Sequence, residues 1–135
     1  GIEKFVASAF ADTIKGASGA EWLLGGGGDD RMRSLGGVDT LSGGAGNDVF
    51  QFLKKDVAAG AVDHVTDFTT GDKLDVADFF KGLKFTSLDE VVALADQADG
   101  THVSIKVKGV FIEVVALDGV HAMTLDSLAD GLILA

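Results

Sequence analysis

The sequence predicts a mainly β protein, with a solenoid of short strands at the N-terminal end and a compact cap closing it. Three observations carry that prediction. Between Ala7 and Gln51 the chain runs through five consecutive nine-residue frames, each with an acidic residue sixth and an apolar residue eighth. Further on, Val103, Ile105 and Val107 alternate with polar residues, the period of a strand with one buried face. The 135 residues are 47 % hydrophobic, enough for one domain with a core and too apolar for a disordered tail.

The frames read ASAFADTIK, GASGAEWLL, GGGGDDRMR, SLGGVDTLS and GGAGNDVFQ. Their sixth residues are Asp12, Glu21, Asp30, Asp39 and Asp48, and their eighth are Ile14, Leu23, Met32, Leu41 and Phe50. Such a period is the signature of a solenoid whose loops bind calcium. A hard cation takes about six to eight oxygens, and a short loop supplies that many only by turning backbone carbonyls inward beside a carboxylate. Those bends favour residues without a Cβ, so positive φ is expected across Gly25–Gly28, at Gly36 and Gly37, and at Gly43, Gly44 and Gly46. About three residues then remain for a strand, which points the eighth side chain into a core and the seventh and ninth toward water.

Gly25–Arg33 and Gly43–Gln51 match the pattern GGxGxDxUx, U being a large apolar residue, in full. Ser34–Ser42 keeps the second half of the loop, the aspartate and the leucine; Gly16–Leu24 has Glu21 for Asp, and Ala7–Lys15 has Phe10 where a glycine belongs. On these residues the chain resembles the repeats-in-toxin (RTX), or hemolysin-type, calcium-binding repeats. The resemblance implies a right-handed parallel β-roll in which two frames make one turn and each frame stacks on the next but one, with Ca²⁺ between their loops. It pairs Asp30 with Asp48, Glu21 with Asp39 and Asp12 with Asp30. Loop oxygens around Gly25, Gly27, Ser34, Gly36, Gly44 and Gly46 complete the implied metal set, for two or three ions. Without metal, carboxylates on turns about 4.8 Å apart repel by roughly 3 kcal/mol per pair at an effective dielectric of about 20. Summed over the roll this rivals the stability of a small domain, so the roll is expected to fold only when calcium is plentiful.

Beyond the frames, Val49–Phe52 reads as a strand and Val62–Phe68 as another, after a loop containing Gly60. The run DHVTDFTTGDKLDVAD from Asp63 to Asp78 resembles the segment D-x-I-x-D-F-x-x-G-x-D-x-I-D that closes the roll in this family, with Gly71 and Asp72 one residue tighter. It adds Asp63, Asp67 and Asp72 as calcium candidates, against a reading as turn and capping carboxylates. Ser87-Leu88-Asp89-Glu90 fits a capping box, and Leu88, Val91, Val92 and Ala95 follow helical spacing, so one short helix is expected there. Val103–Val107 and Val110–Leu117 around Gly109 read as a hairpin covering the open end of the roll, and Thr124–Ala129 as a final helical turn. Residues 1–52 are thus expected to form the roll and 53–135 a closing cap with a C-terminal secretion-signal region, in one continuous domain.

The functional reading follows from charge and motif. With 21 acidic against 11 basic residues and a net charge of −10, nucleic acid and anionic membranes are poor partners, and a phosphate loop is excluded. No cysteine is present, which excludes disulfides, thiolate metal sites and cysteine nucleophiles. No apolar stretch approaches the roughly 18 residues of a membrane span. His64, His102 and His121 are isolated and neither HExxH nor GxSxG occurs, so the segment is expected to be non-catalytic. Starting at Gly1, it is expected to be part of a longer protein. The end, Asp130-Gly131-Leu132-Ile133-Leu134-Ala135, resembles the uncleaved C-terminal address of type I secretion substrates, against a plain terminal strand. The resemblance therefore implies a secreted, extracellular bacterial module that partners the type I secretion machinery and folds on calcium outside the cell. Two alternatives stand beside it: an accessory module resembling those of alginate epimerases, binding an anionic polysaccharide, or the end piece of a secreted adhesin. The first needs a basic track, and Lys54, Lys55, Lys73, Lys81, Lys84, Lys106 and Lys108 are scattered along the sequence.

Overall fold

Each nine-residue frame folds as a loop followed by a strand too short to stand alone, so the strands gain their stability from neighbours one full turn away. The computed structural model describes residues 3–57 and 60–135. Strands β1 (Glu3–Val6), β3 (Glu21–Leu24), β5 (Thr40–Ser42) and β7 (Asp63–Val65) lie parallel in one sheet; β2 (Thr13–Lys15), β4 (Arg31–Arg33), β6 (Val49–Gln51) and β8 (Lys73–Asp75) lie parallel in the other. Consecutive strands thus alternate between sheets, and frame n stacks on frame n+2 as expected. Thr13 pairs with Arg31 and Arg31 with Val49, an 18-residue turn; Val49 then pairs with Lys73 and Thr40 with His64, a 24-residue turn.

The eighth residues Ile14, Leu23, Met32, Leu41 and Phe50 all point between the sheets and are at most 3 % exposed. Val65 and Leu74 continue those two files into the longer turn. Each such side chain contributes about 1.5–3 kcal/mol by burial, so the apolar residue at every ninth position forms the core file of the coil.

The cap grows out of the same sheets. Helix α1 (Ala77–Phe80) buries Phe79 and Phe80. After a 3₁₀ turn at Leu88–Glu90 come β9 (Val92–Gln97), β10 (Gly100–Val107), β11 (Val110–Asp118), α2 (Leu125–Ala129) and β12 (Leu132–Ile133). Strand β11 runs parallel to β7, and β10 and β9 follow antiparallel, giving a seven-stranded sheet ordered β1-β3-β5-β7-β11-β10-β9. The C-terminal β12 adds to β8, so the tail forms the edge of the five-stranded sheet. The expected hairpin and final helical turn are present, the latter capped by Thr124, whose hydroxyl accepts the Ser127 N–H at 3.1 Å.

The helix expected after Ser87 is not there. The Glu90 carboxylate does accept the Ser87 N–H at 3.0 Å, but the turn stops after Glu90 and Val92–Gln97 pairs as a strand with β10. The β-branched Val91 and Val92 and the waiting edge of β10 outweigh the local helical spacing.

Candidate calcium sites

Stacking at 18 residues brings the sixth-position carboxylates into two ladders. In one, Asp30 Oδ1 accepts the Asp12 N–H at 2.8 Å, Asp48 Oδ1 the Asp30 N–H at 2.9 Å and Asp72 Oδ1 the Asp48 N–H at 2.9 Å. In the other, Asp39 Oδ1 accepts the Glu21 N–H at 2.9 Å and Asp63 Oδ1 the Asp39 N–H at 2.8 Å. One oxygen each of Asp30, Asp39, Asp48, Asp63 and Asp72 is therefore spent on joining turns.

The second oxygens separate the candidates. Among the described residues, Oδ2 of Asp30, of Asp39 and of Asp48 is buried and has no hydrogen-bond partner. At the other two sixth positions the carboxylate is used within its own loop. Asp12 Oδ2 accepts the N–H and hydroxyl of Ser8, and the Glu21 carboxylate turns back onto the Ala17 N–H at 2.9 Å. The closing segment is likewise satisfied. Asp63 Oδ2 accepts the Ser34 hydroxyl at 2.6 Å, and Asp72 Oδ2 accepts the Thr69 N–H at 2.9 Å. Asp67 accepts the N–H groups of Gly43 and Gly44 and the Ser42 hydroxyl.

A buried anionic oxygen without a donor is costly, and these three sit beside further negative charge. Burial first, then the Asp63 carboxylate, pushes the Asp39 pKa up to about 6 against the Glu21 N–H, which opposes the rise. Burial again leads at Asp48, opposed by the Asp30 N–H and aided by Asp72, Asp30 and Asp67, and its pKa also rises to about 6. Asp30 and Asp63 are raised as well, both chiefly by burial.

The glycines shape the space around those oxygens in two ways. Positive φ falls on Gly26, Gly28, Gly37, Gly44 and Gly46, so the expectation holds there but not at Gly25, Gly27, Gly36 or Gly43. Gly25 and Gly43 are required by close approach instead: a Cβ on Gly43 would collide with Asp48 Oδ2, and one on Gly25 with Asp30 Oδ2 and the Gly43 carbonyl oxygen. Each of these glycines thus leaves room beside the orphaned carboxylate of its own loop, and at Gly25 the Gly43 carbonyl of the next turn closes in on the same space. A carbonyl beside a donor-free carboxylate is an all-oxygen set of the kind a hard divalent cation takes.

Stacking also assembles residues that sequence spacing left apart. Thr13, Arg31, Val49 and Lys73 form one cross-strand row of the five-stranded sheet, and Lys15, Arg33, Gln51 and Asp75 the next. Lys15, Arg31, Arg33 and Lys73 therefore share the outer face, with Arg31 paired to Asp75 and Arg33 to Asp56 at 2.9 Å. The signal was present at the seventh and ninth positions of alternate frames, visible only once frames are stacked in twos.

Comparison with known proteins bears on both features. Residues 1–32 and 16–50 match the model of the RTX calcium-binding nonapeptide repeat, in four copies. No curated protein is found as a relative. Two solved structures are similar over nearly the whole chain. The R3 subunit of the AlgE6 mannuronan C5-epimerase from Azotobacter vinelandii shares 26 % identity at a TM-score of 0.74, covering 99 % of this chain and 78 % of that one. The R2 subunit of the same epimerase shares 28 % identity at a TM-score of 0.62, covering 96 % and 91 %. Residues 1–50 are thus RTX calcium-binding nonapeptide repeats, and the architecture is the β-roll shared with these epimerase subunits.

Proposed function

We propose that this calcium-binding RTX module holds its ions through Asp30, Asp39 and Asp48 together with the loop oxygens that face them, and that it folds only as they bind. The carrying observation is the trio of buried Oδ2 atoms without a donor. When bound, Ca²⁺ supplies the positive charge that the stacked carboxylates lack. The chain supplies the rest: Oδ1 of each aspartate ties one turn to the next, and Gly25 and Gly43 leave room beside Oδ2. Asp63, Asp67 and Asp72 close the last turn by capping its N–H groups and hydroxyls. Asp12 and Glu21, already bonded to Ser8 and Ala17, serve their own loops first.

A module that is unfolded where calcium is scarce and folded where it is abundant suits a bacterial protein exported through a narrow type I channel, with its C-terminal end as the address. Folding outside the cell then hinders backsliding and supports whatever domain precedes it. Calcium titration followed by circular dichroism tests the first step; full β content in excess chelator would end it. Export assays with Asp30, Asp39 and Asp48 changed to Ala test the second. Unchanged export beside lost calcium-dependent folding would leave a calcium module without a secretion role.

The outer face shared by Lys15, Arg31, Arg33 and Lys73 favours a second reading, a module that also contacts an anionic sugar polymer, in keeping with its likeness to subunits of a mannuronan C5-epimerase. Calorimetry with mannuronan oligomers in calcium separates the two. Heat that disappears in the Lys15→Ala/Arg31→Ala variant supports polymer binding on this face.

A further inference from the structure

The seam between roll and cap carries a second constellation, chemically unlike the loops. His64 of β7, Ala116 of β11 and His102 of β10 lie in one cross-strand row, so both imidazoles stand on the same face of the seven-stranded sheet with only a methyl group between them. Asp118 is two residues beyond Ala116 on β11, hence on that face too, and Asp99 sits in the turn that leads into β10. One donor atom each from His64, Asp99 and Asp118 lie within 4.8 Å of one another. His64 Nδ1 faces Asp118 Oδ1 at 2.8 Å. Zinc bonds of about 2.0–2.2 Å at tetrahedral angles place ligand atoms roughly 3.4 Å apart, a small adjustment from this arrangement.

Asp99 is also held in place. His102 Nε2 meets Asp99 Oδ1 at 2.8 Å, and the other ring nitrogen meets Glu113 Oε2 at 3.2 Å. Carboxylates on both sides hold the ring of His102, and through it the Asp99 carboxylate, in place. One ring nitrogen and two carboxylates, drawn from three separate segments, form a mixed N/O donor set with a net negative charge. An imidazole ligand favours a first-row transition ion over Ca²⁺, which prefers oxygen alone.

We propose that His64, Asp99 and Asp118 form a site for a zinc-class divalent ion, with His102 as a positioning residue, that pins the last turn of the roll to the cap hairpin. Binding at His64 Nδ1 replaces its hydrogen bond to Asp118 by bonds from both groups to the ion, and the one proton of the neutral ring then resides on Nε2, so none need be released. The site does not depend on the assignment of calcium to the loops.

The test is zinc calorimetry on the full chain in saturating calcium. One zinc per chain is expected, weakened by about tenfold or more in His64→Ala and in the positioning variant His102→Gln, and unchanged in His121→Ala. Imidazole NMR of the unsubstituted protein keeps the test independent of how the variants fold: zinc should shift the His64 ring resonances and leave those of His121 in place. Absence of zinc uptake, uptake unaffected by His64→Ala, or ring shifts at His121 alone would each overturn the site.

Discussion

In the roll, carboxylate stacks on carboxylate: Asp48 stands between Asp30 and Asp72, and Asp39 between Glu21 and Asp63. In the cap, carboxylates face imidazoles instead, Asp96 at His121, Asp99 and Glu113 at His102, and Asp118 at His64 on the neighbouring roll strand. Both regions belong to one continuous sheet and both bury an apolar face, yet their charge is balanced differently. On the proposed function, the roll takes its balancing charge from cations in solution, whereas the cap brings imidazoles that can carry positive charge themselves; the stability of the first would then follow the ion's concentration and that of the second would not.

The largest expected effect comes from withdrawing calcium. Chelation should abolish the parallel-strand signal in circular dichroism and restore it on titration, and in amide exchange the protection of β3–β6 should fall furthest. Equal loss in β10 and β11 would break the comparison, because it would make roll and cap one calcium-dependent unit. Next, Asp48→Ala and Asp39→Ala should each lower apparent calcium affinity by about tenfold or more, as removal of a charged ligand does. Asp67→Ala, which loses loop caps rather than a donor-free oxygen, should change it less, with isothermal calorimetry as the readout.

A third experiment separates shape from charge. Gly43→Ala keeps a permitted φ but drives a methyl into Asp48 Oδ2, so it should weaken calcium binding, whereas Gly19→Ala meets open space and should leave the titration midpoint unmoved. Smallest is an acid effect confined to the cap. The hydrogen bond from His121, then that from the Ala122 N–H, holds the Asp96 carboxyl below its usual 3.8. Such a depressed carboxylate stabilises the folded state above pH 3.8, and that stabilisation is lost as pH falls through its lowered value. Asp96→Asn should thus lower the thermal midpoint slightly at pH near 7, with a difference from the unsubstituted protein that closes in acid.

Much of the roll was legible because a repeat is its own neighbour. The residues flanking Asp30 in space are those of Asp12 and Asp48, so a nine-residue pattern already states the tertiary contact, and the eighth-position core followed from it. The cap offered no such shortcut. Leu88, Val91, Val92 and Ala95 carried a helical period, and only the edge of β10 turned Val92–Gln97 into a strand. Which glycines need positive φ, and which need only to lack a Cβ, was equally hidden, since one residue type answers both demands. The candidate site shared this limit. The frames of Asp12 and Glu21 already depart from the repeat pattern in sequence, but only the structure shows that these carboxylates bond Ser8 and Ala17 within their own loops while Oδ2 of Asp30, Asp39 and Asp48 stays without a donor.

By itself, the order of amino acids determined the coil, its stacking in twos, the file of buried residues and the calcium-binding character, because period and chemistry are local properties that repetition carries into space. Tertiary structure alone decided which carboxylate oxygens stay without a donor, how Lys15, Arg31, Arg33 and Lys73 meet on one face, and how the longer turn carries the ladders on to Asp63 and Asp72. Those outcomes depend on distances between residues 18 to 58 positions apart, set by packing and hydrogen bonding that no short window of sequence contains.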